Sequence, residues 1–143
     1  MSSFKTLIRV QKWQLDERRR ALTELQNLED RLRSEIDRLA EEMRAEQETA
    51  RNDFNASFTY AGFARSAMER RRRIDDSIHQ VQEQTVAATE QVAEAYQDLK
   101  RYELAEEERL KREREKQKHK EELMMDETAL VGFRRRQEQD GTG

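Results

Sequence analysis

Apolar residues recur along this chain at alternating three- and four-residue steps, the spacing that lines one stripe of an α-helix. In the first third, Ile8, Leu15, Leu22, Leu25, Leu32, Ile36, Leu39, Met43 and Ala50 hold a seven-residue register. With a set at Ile8, residues 8, 15, 22, 36, 43 and 50 are a positions and 25, 32 and 39 are d positions. Gln11, Arg18 and Glu29 interrupt the stripe. Polar seam residues of this kind lower stability but fix register. A second register runs through Ile74, Ile78, Val81, Thr85, Ala88, Val92, Ala95, Leu99 and Tyr102. Its small members, Ala88 and Ala95, let a partner helix approach closely.

Between the two stripes, residues 51–62 (RNDFNASFTYAG) gather the Asn, Ser, Thr and Gly that favour caps and loops. Asn55, Ser57 and Thr59 each offer a side-chain oxygen to the open N–H groups of a first helical turn. The pattern predicts an all-α fold in a single domain over residues 1–143: a long antiparallel two-helix coiled-coil hairpin with an overhanging C-terminal helix. Helix 1 is expected over about 4–54, the turn at about 55–59 and helix 2 over about 60–137. Leu22 then faces Ala88 or Ala95, and Ile36 faces Ile74 or Val81, depending on loop length. At 1.5 Å per residue the arms reach ~75 Å and ~115 Å, which puts Phe4 near residues 106–113 and leaves the last ~25–30 residues as overhang. The overhang begins with AEEERLKREREKQKHKEE. There Glu107/Lys111 and Glu108/Arg112 have the acid-then-base spacing of four, contributing a few tenths of a kcal/mol each (~0.3).

Composition supports helix over disorder. Of 143 residues, 41% are Asp, Glu, Lys or Arg and only 34% are hydrophobic, too few for a round core. Yet there is no proline, there are only four glycines, and the net charge is −3. A chain of that balance does not repel itself into a coil, and its apolar content suits a single seam. The same near-neutral charge argues against nucleic acid, which needs a basic footprint. Without Cys there are no disulfides and no thiolate metal sites. No apolar run approaches the ~20 residues of a membrane span. The opening MSSFKTLIRVQKWQLDERRR lacks the apolar stretch and cleavage site of a signal peptide. The expectation is a cytoplasmic protein, not inserted in a membrane.

Catalytic patterns are missing: no Gly-rich phosphate loop, no paired His at ligand spacing, no Ser or Cys nucleophile beside a base. His79 and His119 are far apart on helix 2. The many carboxylates read as solvated helix faces, because an acid/base pair needs a desolvating pocket. The expectation is a non-enzyme with no cofactor and no metal. Arg70 to Arg73, ahead of Ile74 and Ile78, loosely evoke a basic region before a zipper. Asp75 and Asp76 follow at once, which favours a solvated face or a patch for an acidic partner.

Apolar residues outside the seam carry more. Leu7, Val10 and Trp13 fall at g, c and f, and LMMDETALVGF adds Met124, Met125, Val131 and Phe133, mostly off the a/d line. An antiparallel fold brings both regions toward one end. Exposed apolar patches mark interaction sites, and Trp is a favoured anchor. The competing account is a local three-sided cluster, with the N-terminus packed on the overhang. A surface-lying membrane helix is a third account, with a modest basic face from Lys5, Arg9 and Lys12. At the turn, Phe54, Phe58, Tyr60 and Phe63 either plug the open end of the coiled coil or face outward as a docking surface.

Three stretches, LIRVQKWQLDERRRALTELQNLEDRL, VAEAYQDLKRYELAEEERLKRE and EELMMDETALVGFRRR, resemble the flagellar export protein FliJ family, especially its alphaproteobacterial versions. The likeness runs in order over nearly the whole chain, with Trp13-Gln14-Leu15-Asp16-Glu17 and Asp126-Glu127 more telling than the heptads. The resemblance implies an antiparallel coiled coil similar to the stalk subunit of rotary ATPases, in the cytoplasm at the flagellar base. It implies that the end carrying both termini inserts into the hexameric export ATPase. It implies that the hairpin contacts the membrane-embedded export gate protein, and that the protein binds empty export chaperones. The ATPase-binding match falls on Leu7, Ile8, Val10, Trp13, Leu130, Val131 and Phe133. The gate-binding match falls on Leu39, Phe63, Ala67 and Ile74. Arg70 stands where some relatives carry polar or His residues. A lone hairpin is expected to be an elongated monomer near 17.2 kDa. The rival from another class is a generic structural coiled coil that self-associates through its terminal patches.

Overall fold

The computed structural model describes residues 3–141, which form two helices. α1 spans Ser3–Asn52 (50 residues) and α2 spans Phe54–Gly141 (88 residues). They pack against each other as an antiparallel hairpin, the predicted fold class. Neither helix contains the proline that would break its hydrogen-bond ladder.

The turn is a single residue, Asp53, not residues 55–59. The Asp53 N–H donates to the Thr49 carbonyl (3.0 Å) and closes α1, while the Asp53 carbonyl accepts from the Ser57 N–H (3.2 Å) and opens α2. Its carboxylate Oδ1 accepts from the Asn55 N–H (3.0 Å), as an N-cap does. No described residue has positive φ, so the reversal needs no glycine. The residues expected to cap or loop are already helical. Ser57 Oγ donates to the Phe54 carbonyl (2.6 Å) and Thr59 Oγ1 to the Ala56 carbonyl (3.0 Å). Their hydroxyls are satisfied inside the first turns of α2, where Ser and Thr also fit.

The structure divides into two compact units. The first runs from Val10 to Asp98 and holds the turn and the seam. Its core is Leu15, Leu39, Ala67, Ile74, Ile78, Val81, Ala88 and Ala95. Leu22, Leu25, Leu32, Ile36, Met43, Ala50, Thr85 and Val92 are half-buried. Both predicted registers therefore line the seam. Arg18 Nη1 donates to Gln91 Oε1 across it at 3.1 Å. One turn further along, that pairing sets Leu22 level with about Ala88. Thr85, the polar member of the second stripe, donates its hydroxyl to the Val81 carbonyl (2.8 Å) and leaves no unpaired hydroxyl in the seam.

The other unit groups the residues up to Arg9 with those from Leu99 on. Phe4, Ile8 and Tyr102 are half-buried, and Leu99 is buried. Glu106 is buried too, and both of its oxygens accept from Arg109, at 3.0 and 3.1 Å. Arg109 also reaches Glu113 (3.2 Å), and Arg112 reaches Glu108 (2.8 Å). From Lys111 to Val131 every residue is exposed. That stretch is a solvated single helix, tied at its start to the preceding turn by the i,i+4 pairs of Glu113 and Arg112.

Candidate docking surfaces

Large apolar side chains left in solvent define the candidate surfaces, and each unit carries its own. In the unit of the turn, Trp13 is 64% exposed whereas Leu15, two residues on, is 4% exposed. Helical periodicity explains the contrast: Leu15 is an a residue of the seam and Trp13 lies on the outer face. Val10 is exposed as well. At the turn, Phe54 and Phe58 are 77% and 73% exposed and meet edge to face, ring centroids 5.1 Å apart. Tyr60 and Phe63 are half-buried. The aromatic cluster thus divides: the first two face outward and the last two help close the seam.

The gate-binding residues suggested by resemblance lie mostly inside the seam. Leu39, Ala67 and Ile74 are buried, and Phe63 is half-buried. What this stretch shows to solvent is Met68 together with Arg70, Arg71, Arg72 and Arg73. Arg70 shares a groove with Glu35, Arg38 and Glu42, and Arg71 lies 4.0 Å from Asp75. The arginine run is therefore interleaved with carboxylates from both helices.

In the unit holding the helix ends, Leu7 is exposed and Ile8 half-buried. Leu123, Met124, Met125, Leu130, Val131 and Phe133 are all exposed, Met125 to 72% and Phe133 to 58%. Because Lys111 to Val131 is exposed throughout, the described N-terminal residues do not lie on this stretch. The three-sided cluster does not form. Along α2, Leu130 is also about 30 residues beyond Leu99, or ~45 Å. Leu130, Val131 and Phe133 come together in the last turns of α2, well separated from Leu7 and Ile8.

Electrostatically the surface is balanced. The Arg109 guanidinium is held above its ordinary value, chiefly by its hydrogen bond to Glu106, and remains a cation. Sequence inspection did not single out Glu106, because one more glutamate in a charged run gives no sign of burial. Gln11, noted as a seam defect, has a buried Oε1 with no hydrogen-bond partner among the described residues. Among the described residues no group of three or more His, Cys, Asp and Glu is placed to hold a metal ion. No described helix is long and apolar enough to cross a membrane. The chemistry available at these surfaces is apolar contact and ion pairing.

A family model for the flagellar FliJ protein matches residues 1–138. No curated protein and no solved structure matches the chain. With 138 of its 143 residues inside that match, and the two-helix hairpin that the resemblance implies, the chain belongs to the flagellar FliJ protein family.

Proposed function

We propose that this protein is a non-enzymatic coupling component of the flagellar type III export apparatus, docking in the hexameric export ATPase and contacting the export gate protein. Family membership gives the chain a flagellar export-related role. The two dockings, an escort role for empty export chaperones and a place at the flagellar base are our reading beyond it. The observation that carries the reading is the helix end at Leu123–Phe133, which leaves six large apolar side chains in solvent. A soluble surface rarely keeps such a patch without a partner. Leu7, Val10 and Trp13 supply further exposed anchors, and Ile8 is half-buried.

For the gate, the burial of Leu39, Ala67 and Ile74 assigns them a supporting role: they hold the helices in register, while Met68, Phe54 and Phe58 are available for contact. In the mechanism we propose, the protein biases assembly and nucleotide turnover of the ATPase ring and passes that state to the gate. The test is the ATPase rate of the cognate export ATPase with and without this protein. Stimulation that falls with Trp13→Ala or Phe133→Ala, at unchanged helicity, supports docking through these residues. Unchanged stimulation in both variants removes that assignment.

A further inference from the structure

The exposed end of α2 carries a heptad stripe that the hairpin does not use. Glu122, Met125, Ala129, Gly132 and Arg136 follow one another at steps of three, four, three and four. That spacing places them on one helix face. Met125, Ala129 and Gly132 line a shallow open groove together with Phe133 and Arg136. Nothing lies within 4 Å of the position where Gly132 would carry a Cβ, so the centre of this face is open to an approaching backbone.

The charges flanking the stripe are opposite at its two ends. Glu122, with Glu121 before it, opens the stripe, and Arg136 closes it, with Arg134 and Arg135 beside it. All five are exposed, and among the described residues none of them is in an ion pair. Asp126 and Glu127 are exposed as well, so all the acids of this segment lie at 121–127 and all its bases at 134–136, an order that is complementary to itself when reversed. A second copy laid antiparallel, with Ala129 opposite Gly132, matches the two central residues twice by symmetry. Met125 then falls level with Arg136 of the second copy, where the long arginine stem covers the thioether. Asp126 falls level with Arg135 of the second copy, and Glu122 comes within about one turn of Arg136, at both ends. A parallel copy instead sets acid against acid and base against base.

We propose that the C-terminal segment Glu121–Arg136 is a self-recognition surface, pairing antiparallel with the same segment of a second copy of this chain. The pairing is weak and concentration-dependent, because a single short helix face buries less than the ~1,200 Å² of a stable interface. This departs from the monomer expected of a lone hairpin. It does not rest on the ATPase reading. Where both hold, self-pairing covers Phe133 and competes with docking.

The experiment is light scattering and sedimentation of the full chain at increasing concentration, using two charge-reversed variants. One is Glu121→Arg with Glu122→Arg, and the other is Arg135→Glu with Arg136→Glu. The expected result is a mass rising from 17.2 kDa toward twice that value in the unaltered chain. Each variant alone associates at least about tenfold more weakly, since four end contacts become repulsive. An equimolar mixture of the two variants recovers association, because residues 121 and 122 of each variant then meet the opposite charge at residues 135 and 136 of the other. A mass that stays at 17.2 kDa at all concentrations overturns the proposal. So does association that persists in both variants, or a mixture that fails to recover it. Unchanged helicity by circular dichroism shows that the variants fold, and none of these outcomes depends on ATPase stimulation.

Discussion

Arg18 and Gln91, 73 residues apart in sequence, are joined across the hairpin by a 3.1 Å hydrogen bond from Nη1 to Oε1. Arg18 occupies a seam position where the heptad calls for an apolar side chain. Its guanidinium reaches the rim of the opposite helix instead of entering the core. The bond is exposed, so its worth lies in register more than in stability. A double-mutant cycle of Arg18→Ala and Gln91→Ala, followed by urea unfolding, is expected to give a coupling of less than about 1 kcal/mol. Arg18→Leu is expected to unfold at the same temperature or higher. Spin labels at the exposed Thr23 and Thr89 are expected to show a broader distance distribution in that variant.

Gln11 makes the opposite prediction. Its Oε1 is buried without a partner, a cost of about 1–3 kcal/mol for such a group. Gln11→Leu removes that acceptor and restores the stripe. Thermal unfolding is expected to shift upward, corresponding to about 1 kcal/mol. A destabilised Gln11→Leu would show that the amide has a partner in solution.

Trp13 and Leu15 separate docking from folding. Leu15→Ala empties a buried seam position and is expected to cost about 2–4 kcal/mol in unfolding experiments. Trp13→Ala, on the exposed face, is expected to change stability by less than about 0.5 kcal/mol. Under the proposed function, only the second variant loses ATPase stimulation while keeping full helicity. Comparable destabilisation by both would place Trp13 in the core.

Asp53 is the cap on which the turn depends. Asp53→Ala removes the acceptor for the Asn55 N–H and is expected to cost about 1 kcal/mol, read as a lower midpoint by circular dichroism. Asp53→Asn keeps an acceptor oxygen and is expected to stay within a few tenths of a kcal/mol (~0.3) of the unaltered chain. Ser57→Ala tests the alternative cap. A loss as large as that of Asp53→Ala would move the cap to residue 57.

Removal of residues 111–143 tests whether the solvated helix matters for folding. Every residue from Lys111 to Val131 is exposed, so the seam loses no contact from that stretch. The truncated chain is expected to keep its cooperative unfolding midpoint while losing the helical signal of the removed residues. Under the proposed function it also loses ATPase stimulation. A collapse of the midpoint would mean that this segment packs on the hairpin.

Helicity and the identity of the seam were legible in the residues themselves. Both follow from local rules: an absence of proline, few glycines, and apolar residues at a helical period whose burial requires a partner stripe. Ile74, Ile78, Val81, Ala88 and Ala95 are buried because that period leaves them no other face. Tertiary structure decided the rest. The reversal at Asp53 depends on which of several cap-competent residues lets both seams meet in register, and composition alone pointed a few residues too late. The burial of Ala67, and the exposure of Phe54 and Phe58 as against the half-burial of Tyr60 and Phe63, depends on which side of α2 faces its partner near the turn. Periodicity determines a stripe from neighbours three and four residues away, whereas covering that stripe requires a second segment whose alignment only the folded chain sets.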